Sequence, residues 1–431
     1  MYRLSKLNGW FTKDSPSSFS ISSLYIIRKF AKKLLFLDYQ SFNMNLRIFR
    51  YTALILITAA VALISSCEKN PFNKDDYRKV IILYMAANNN LSSYAEQNIS
   101  TLKGGFIPDK NSRDILVVYA HLAGSNPKLT RLYKESDGTV VEDPVAAYED
   151  QNSANGDVLK AVLNKIKTIF PAREYGLILW SHATGWLPQG YYNSTFQGTY
   201  FEDPYAGIVK SFGEDRGVEM EIKELKSALP YHFNFIIFDC CFMGGIESIY
   251  ELKDKASYIV ASPTEILANG FPYRDIMNPL FQSKSNLEEA CRLFYEYYNS
   301  LSGVHQSATI ALYKTDQLKQ LSNVTKTIFN SHRDKIATLN MGNIQPYFRL
   351  NKRWFWDLGD LIEAIATPSE YQNFNTALNN VVVAKWNTEY FIDIKIEKFS
   401  GISTYIQNPS NSFLDTFYKG FDWNFDAEMI K

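Results

Sequence analysis

Apolar runs alternate with amphipathic segments along much of the chain. Lys79–Met85 (KVIILYM) and Asp114–His121 (DILVVYAH) have the composition of buried strands. Val158–Phe170 carries apolar residues at helical spacing, and Asp157 before it is a predicted N-cap. Because buried strands alternate with such helices, the pattern predicts an α/β fold with a mostly parallel, doubly wound sheet.

The alternation continues in the second half of the chain. Strands are predicted in three short apolar runs, Tyr258–Ala261, Thr309–Tyr313 and Gly401–Ile406. Helices are predicted in four amphipathic segments, Glu221–Leu229, Leu287–Tyr298, Thr315–His332 and Trp356–Ile365. The dipeptide Asp137-Gly138 predicts a hairpin with a type I′ turn. Leu187–Asp215 has no regular period, which is typical of a functional or mobile loop.

Two predicted strand ends carry reactive side chains. Asn234–Ile246 (NFIIFDCCFMGGI) predicts a strand that ends at Asp239, followed by two cysteines and a tight turn before a helix. Leu177–Trp186 (LILWSHATGW) predicts a strand followed by His182 and a loop. Since chemistry collects at the carboxyl ends of parallel strands, the two stretches predict a thiol beside an imidazole at one sheet edge. A thiol at the start of the following helix is expected to have a lowered pKa, which favours the thiolate.

Composition and charge narrow the classes of function. The 431 residues carry 45 Lys and Arg against 45 Asp and Glu, scattered along the chain, so nothing indicates a nucleic-acid partner. Four cysteines do not make a disulfide framework, and Cys291 is expected to be a core residue. The histidines other than His182 are too dispersed to indicate a metal site, and none is predicted.

The region before Cys67 has the pattern of a targeting signal. Met44–Cys67 combines two arginines, a short apolar run and the end Ile-Ser-Ser-Cys, which matches a bacterial lipoprotein cleavage box. We therefore expect an acylated Cys67 and a lipid anchor in the bacterial cell envelope, on the periplasmic or the cell-surface face of the outer membrane. An ordinary transmembrane anchor is the alternative. This interpretation divides the start of the chain into a spurious upstream extension at residues 1–43, a signal peptide at residues 44–66 and a tether at residues 67–78.

The two reactive stretches together resemble a known family. The block DCCFMGGIE around Cys241 is similar to the D-x-C-x-M-G-x-x-E signature of the clostripain-like cysteine peptidases, peptidase family C11, and LILWSHATGW is similar to their His block. Other blocks agree in order over roughly Lys79 to Tyr405, namely Val80–Ile99, Tyr258–Tyr273, Asp357–Ile365 and Gly401–Ile406. That family belongs to the caspase-like clan. The resemblance therefore implies a caspase-like three-layer fold, with helices flanking a mostly parallel central sheet.

The resemblance also implies roles for individual residues. Cys241 would be the nucleophile and His182 the general base, and the backbone N–H groups of Ala183 and Cys241 would form the oxyanion hole. Asp239 would line the S1 pocket and bind a substrate Lys or Arg side chain. The partners would be proteins or peptides with a basic P1 residue, and the protein is expected to be a monomer. No cofactor is expected.

The resemblance further implies a processing region and a domain division. In the family, maturation cleavage commonly occurs between the His and Cys blocks, where Lys210 and Arg216 are the first basic residues of this chain. Self-processing at Lys210 or Arg216 is therefore a hypothesis. The catalytic domain is expected at residues 79–300, and an α/β C-terminal region at residues 301–431 is expected to pack on it.

Two departures from the family pattern leave an alternative open. Ala183 stands where the family has Gly, and it would be strained if the loop required φ > 0. Asn88 stands where the family has Asp. The alternative to a cysteine endopeptidase is therefore a weak or inactive surface lipoprotein that binds peptide or another ligand. A redox role of Cys240 and Cys241 is discounted, because adjacent cysteines close a strained disulfide.

Overall fold

The computed structural model describes residues 77–189, 191, 212–349, 354–408 and 410–431. The predicted signal peptide, Cys67 and Lys210 lie outside these residues. Within the described ranges, no helix is both long enough and apolar enough to cross a membrane.

The strands of the described residues are short except at the centre of the main sheet. In chain order they are β1 (Tyr77–Ala87), β2 (Asp114–Leu122), β3 (Lys128–Lys134), β4 (Val140–Ala147), β5 (Ala172–Trp180), β6 (Phe212–Asp215), β7 (Val218–Met220), β8 (Phe233–Asp239), β9 (Ala256–Ala261), β10 (Thr309–Lys314), β11 (Trp356–Asp357), β12 (Val382–Asn387), β13 (Tyr390–Phe391), β14 (Ile394–Lys395) and β15 (Ser403–Thr404).

The helices lie between these strands and at the end of the chain. They are α1 (Ser92–Lys103), α2 (Gly156–Ile169), α3 (Ile222–Ala228), α4 (Ile246–Glu251), α5 (Tyr273–Phe281), α6 (Leu287–Asn299), α7 (Leu318–Ser331), α8 (Arg333–Ala337), α9 (Leu358–Ile365), α10 (Pro368–Val381), α11 (Ser412–Tyr418) and α12 (Asp422–Ala427). Short 3₁₀ segments occur at Gly303–His305, Thr315–Gln317 and Met341–Asn343.

Among the described residues, nine strands form the central sheet, in the order β12-β10-β9-β8-β5-β1-β2-β3-β4. The five strands from β9 to β2 are parallel to their neighbours, whereas β10 and β12 extend one edge and β3 and β4 the other in antiparallel pairing. The chain passes from β1 to β2 on one side and returns to β5 on the other. The strand order therefore reverses between β1 and β5, where open α/β sheets bind their ligands.

Alternate residues of the central strands face two separate hydrophobic cores. In β1, Ile82 and Tyr84 belong to a core with α2, α3, α4 and the C-terminal helices. Leu83 and Met85 belong to a core with α1, α5 and α6. Because helices cover both faces, the central strands are continuous apolar runs and do not alternate with polar residues.

The predicted fold class is confirmed: a mostly parallel sheet lies between two layers of helices. The region at residues 301–431 contributes to this sheet as well as to the helical layer, because β10 and β12 form one of its edges. The short pair β11–β15 joins the start of α9 to the segment before α11.

Three local predictions are wrong in detail. A type I′ turn needs φ > 0 at both central residues, but at Asp137-Gly138 only Gly138 has positive φ, within a longer loop. The N-cap of α2 is Asn155, whose side chain accepts the N–H of Asp157 and of the next residue. The strand predicted at Gly401–Ile406 is limited to its two central residues, because only these pair with β11.

Candidate functional site

Cys241 and His182 occupy equivalent positions on neighbouring parallel strands. Trp180 at the end of β5 pairs in register with Asp239 at the end of β8, and each reactive residue follows two positions later. Both side chains line one cavity of about 40 Å³ at the carboxyl edge of the sheet. The predicted juxtaposition of a thiol and an imidazole is therefore present, beside the reversal of strand order.

The turn after Cys241 is strained and closely packed. Phe242 has a φ of 60°, which is rare for a bulky residue, and its N–H donates to Thr264 O at 2.8 Å. Its ring stacks on Phe355 with centroids 4.5 Å apart. Gly185 of the His182 loop lies against the same turn, where a Cβ would be 2.5 Å from Phe242 O. The two reactive loops are therefore in direct contact.

The imidazole of His182 is held by an asparagine. Nε2 of His182 lies 2.7 Å from Oδ1 of Asn90, and the histidine is only 4% exposed. Because an amide oxygen can only accept, Nε2 carries the hydrogen and Nδ1 is the basic nitrogen. A base oriented by a third group is the arrangement that activates a neighbouring nucleophile.

The thiol of Cys241 is covered by the loop after β9. The N–H of Ile266 donates to Sγ at 3.3 Å, and Sγ donates to Ile266 O at 3.6 Å. Burial, and then the carboxylate of Glu265, raise the pKa of Cys241 to about 12. The predicted lowering of this pKa by a helix dipole is therefore wrong in this conformation, because the short α4 begins only at Ile246.

Asp239 lines the same cavity with a buried carboxylate. Its Oδ2 accepts from the N–H of Phe271 at 3.1 Å and the hydroxyl of Tyr273 at 2.8 Å. Among the residues that the structure describes, none donates to Oδ1. Burial raises the pKa of Asp239 to about 6, although these two hydrogen bonds lower it. Such a carboxylate has an oxygen left for a basic group of a ligand.

A partly buried ion pair borders the thiol. Nε and Nη2 of Arg349 donate to the two oxygens of Glu265 at 3.0 and 3.1 Å, and Glu265 lines the cavity. After burial, Glu265 is the main cause of the raised pKa of Cys241, whereas Arg349 lowers this pKa. The pairing therefore partly offsets the effect of Glu265 on the thiolate.

The remaining predicted site residues lie in the interior. Ala183 is fully buried and does not have positive φ, so the strain feared for an alanine at this position is absent. The oxyanion-hole role of the Ala183 and Cys241 N–H groups stays a prediction. Cys240 lies in one core and Cys291 in the other, and these two and Cys241 are all free thiols.

Sequence reasoning missed three contributors to the site, namely Asn90, Ile266 and Arg349. Each makes its contact over a long separation in sequence: 92 positions for Asn90 with His182, 25 for Ile266 with Cys241 and 84 for Arg349 with Glu265. The position of Asn90 after the strand next to β5 was the available signal. For Ile266 the signal was its place in Tyr258–Tyr273, one of the blocks that resemble the family, whereas no pattern indicated the contact of Arg349.

Within the described ranges, no group of three or more His, Cys, Asp or Glu side chains is arranged to hold a metal ion. A mostly parallel α/β sheet with a thiol and an imidazole at its carboxyl edge places the protein among candidate cysteine hydrolases. The chain belongs to the clostripain family of C11 peptidases, because the model of that family matches residues 83–427.

Solved structures agree with this membership. The X-ray structure of an inactive zymogen C11 protease from Parabacteroides distasonis has a TM-score of 0.71 at 31% identity, covering 82% of this chain and 98% of that one. A secreted C11 cysteine protease from Bacteroides thetaiotaomicron, in complex with an irreversible peptide inhibitor, has a TM-score of 0.69 at 27% identity, covering 82% and 100%. A comparison with curated proteins found no match. The resemblance and the fold class are confirmed.

Proposed function

We propose that this protein is a cysteine endopeptidase with the catalytic dyad Cys241 and His182 that cleaves after Arg or Lys. The observation that supports the proposal is the placement of both side chains and Asp239 around one cavity. The buried carboxylate of Asp239 would bind the basic P1 side chain through Oδ1.

The reaction follows from these positions. Cys241, as the thiolate, attacks the scissile carbonyl, and backbone N–H groups near Ala183 and Cys241 bind the oxyanion. His182 protonates the leaving amine and then activates a water that releases the acyl-enzyme. The chemistry uses no cofactor.

Under this proposal the described conformation is latent. The cavity of about 40 Å³ is far smaller than the roughly 300 Å³ or more of typical ligand pockets. With the pKa of Cys241 at about 12, only about one thiol in 10⁵ would be ionised at pH 7. Activation therefore requires the loop that carries Ile266 to move away from the thiol.

If self-processing opens the site, we expect cleavage after Lys210 and not after Arg216. Arg216 lies in the tight β6–β7 turn with a φ of 53°, and its guanidinium donates to Asp150 at 2.7 Å and Asp215 at 3.1 Å. A peptidase needs an extended segment, which this turn does not offer. We expect Lys210→Ala to abolish cleavage and Arg216→Ala to preserve it on a denaturing gel. An active preparation that consists of one intact chain would contradict processing at either residue.

An activity-based probe tests the proposed function. A biotinylated peptidyl acyloxymethyl ketone with Lys at P1 should label the purified protein under reducing conditions. Labelling should disappear in Cys241→Ala and His182→Ala and persist in the matched control Cys291→Ala, which removes a buried thiol of the core formed with α1, α5 and α6. An uncharged norleucine probe should label far more slowly. Labelling that persists in Cys241→Ala would contradict the assignment.

The second candidate is a lipoprotein of the same fold that binds peptide without cleaving it. The closed cavity and the raised pKa of Cys241 are the observations that favour it. Under this proposal, probe labelling stays absent after processing with trypsin. Lysyl peptides would still bind, and Asp239→Asn would abolish that binding in a calorimetric titration.

We also propose that the protein is anchored by lipid to the bacterial envelope as a monomer. The support is the cleavage box that ends at Cys67, which lies outside the described residues. Metabolic labelling with an alkynyl fatty acid should mark the wild-type chain. It should not mark Cys67→Ala, and that variant should leave the detergent phase in a Triton X-114 partition. Size-exclusion chromatography with light scattering should give the monomer mass.

A further inference from the structure

We propose that Asn90 is a positioning residue for His182, so that the site is a Cys241–His182–Asn90 arrangement. The observation is the 2.7 Å contact between Oδ1 of Asn90 and Nε2 of His182, a residue that is only 4% exposed. The kinetic consequences rest on the proposed function, whereas the contact itself can be tested without any activity.

The contact selects one tautomer of the imidazole. With an amide oxygen at Nε2, the hydrogen is held there, and Nδ1 is the basic nitrogen that can take the proton of a thiol. Loss of the contact would allow the other tautomer and a rotation of the ring. Both changes remove a base from the position that proton transfer requires.

The loop that carries Asn90 and the loop that carries His182 are both hydrogen-bonded to strand β6. Asn88 Nδ2 donates to Asp215 Oδ1 and Asn89 Nδ2 donates to Glu214 O, each at 2.8 Å. The N–H of Gly213 donates to His182 O at 3.0 Å. Strand β6 therefore holds the two loops at a fixed separation, which lets a surface asparagine act as a precise partner.

Asn90 itself is exposed, so its truncation should not disturb the core. That makes the contact separable from folding. Asn89 is less suitable for substitution, because its side chain also donates to Ala86 O and accepts the N–H of Leu91.

The kinetic test compares Asn90→Ala, Asn90→Asp and the control Ser93→Ala, an exposed residue just beyond the loop. On a lysyl substrate, Asn90→Ala should lower kcat about 10- to 100-fold with KM changed less than about threefold. Asn90→Asp should restore most of kcat, because a carboxylate accepts the same N–H. It should also shift the alkaline limb of kcat/KM to higher pH, since its charge favours the imidazolium.

The spectroscopic test is nuclear magnetic resonance of ¹⁵N-histidine-labelled protein, with the His182 signals assigned by their loss in His182→Ala. We expect a slowly exchanging Nε2 proton in the wild type and in Ser93→Ala, and its loss in Asn90→Ala. An unchanged signal together with an unchanged kcat and pH profile in Asn90→Ala would overturn the proposal. If the wild type has no peptidase activity, the proposed function fails, and the Nε2 proton alone decides the role of Asn90.

Discussion

The carboxylate of Asp215 lies 2.9 Å from Nδ1 of His121, and both side chains are buried. Oδ1 of Asp215 also accepts from Asn88 at 2.8 Å, and Oδ2 accepts the N–H of Ser153 at 2.7 Å. Although burial raises the pKa of Asp215, the hydrogen bonds from His121 and Ser153 lower it below its ordinary value. Asn88, which departs from the family pattern, therefore donates a hydrogen bond to a buried carboxylate. This departure does not by itself indicate an inactive protein.

Asn88→Asp should destabilise the protein. The new carboxylate would face Asp215 at hydrogen-bond distance without a proton to share at neutral pH. We expect a loss of about 1–2 kcal/mol in the free energy of unfolding, measured by urea denaturation at pH 7.5. The loss should shrink as the pH falls towards 5, where one of the two carboxylates takes up a proton.

A matched variant separates this repulsion from the change in net charge. Asn155→Asp adds the same charge but keeps an N-cap acceptor for α2, so its stability should change by less than about 0.5 kcal/mol. Equal losses in both variants would contradict the role given to the Asn88–Asp215 pair.

Gly185→Ala should strongly destabilise the folded protein or abolish its labelling by the probe. Gly185 has a φ of 63°, and an added Cβ would lie 2.5 Å from Phe242 O, which is a backbone atom of the cysteine turn. Gly138→Ala is the control, because Gly138 has a φ of 88° with open space around the added Cβ. The control should lose about 1 kcal/mol from backbone strain, and Gly185→Ala should lose about 2 kcal/mol more from the clash. Thermal unfolding and probe labelling would measure both effects, and equal losses would rule out the clash.

Glu247 joins the helix after the cysteine turn to the C-terminal segment. Its Oε1 accepts from Thr404 Oγ1 at 3.0 Å, and from the N–H of Tyr405 and the hydroxyl of Tyr418 at 2.9 Å each. Oε2 is buried without a partner among the described residues. Burial raises the pKa of Glu247 to about 7, although the hydrogen bonds lower it. The hydroxyl of Tyr405, whose N–H donates to Glu247, donates to another acid, Asp415.

Stability should therefore depend on pH through Glu247. The folded state binds this proton more tightly than the unfolded state, so the contribution is complete below pH 4.5 and is lost as the pH rises to about 7. The loss amounts to about 3 kcal/mol over this window. Glu247→Gln should remove this part of the pH dependence in urea denaturation between pH 5 and 8. Glu149→Gln, at an exposed position, should keep it.

Asp239→Asn should remove the preference for a basic P1 residue. The variant keeps an oxygen for Phe271 and Tyr273 but loses the charge. We expect kcat/KM for a lysyl substrate to fall about 10²-fold or more, with little change for a norleucyl substrate. In the wild type, kcat/KM for the lysyl substrate relative to the norleucyl substrate should fall below pH 6, because the carboxyl group of Asp239, with a pKa of about 6, becomes protonated. A lysyl preference that survives the substitution would place the S1 carboxylate elsewhere.

Local patterns were enough to predict the architecture because each rests on a short-range rule. The apolar runs before Asp239 and His182 had to be strands with reactive residues at their carboxyl ends, and parallel pairing brings such ends together. The burial of Cys291 could be predicted from its position on the apolar face of an amphipathic helix. The N-cap Asn155 was missed because Asp157 is an equally suitable residue two positions away.

The sequence by itself determined the fold class, the family and the two reactive residues that line one cavity at the sheet edge. Only the tertiary structure decided the burial of the thiol, the partner of the imidazole and the compatibility of Ala183 and Asn88 with the fold. Burial under Ile266, the amide of Asn90 and the carboxylate of Asp215 are contacts between segments far apart in the chain. Such contacts depend on how loops pack on a completed sheet, and no local periodicity encodes that packing.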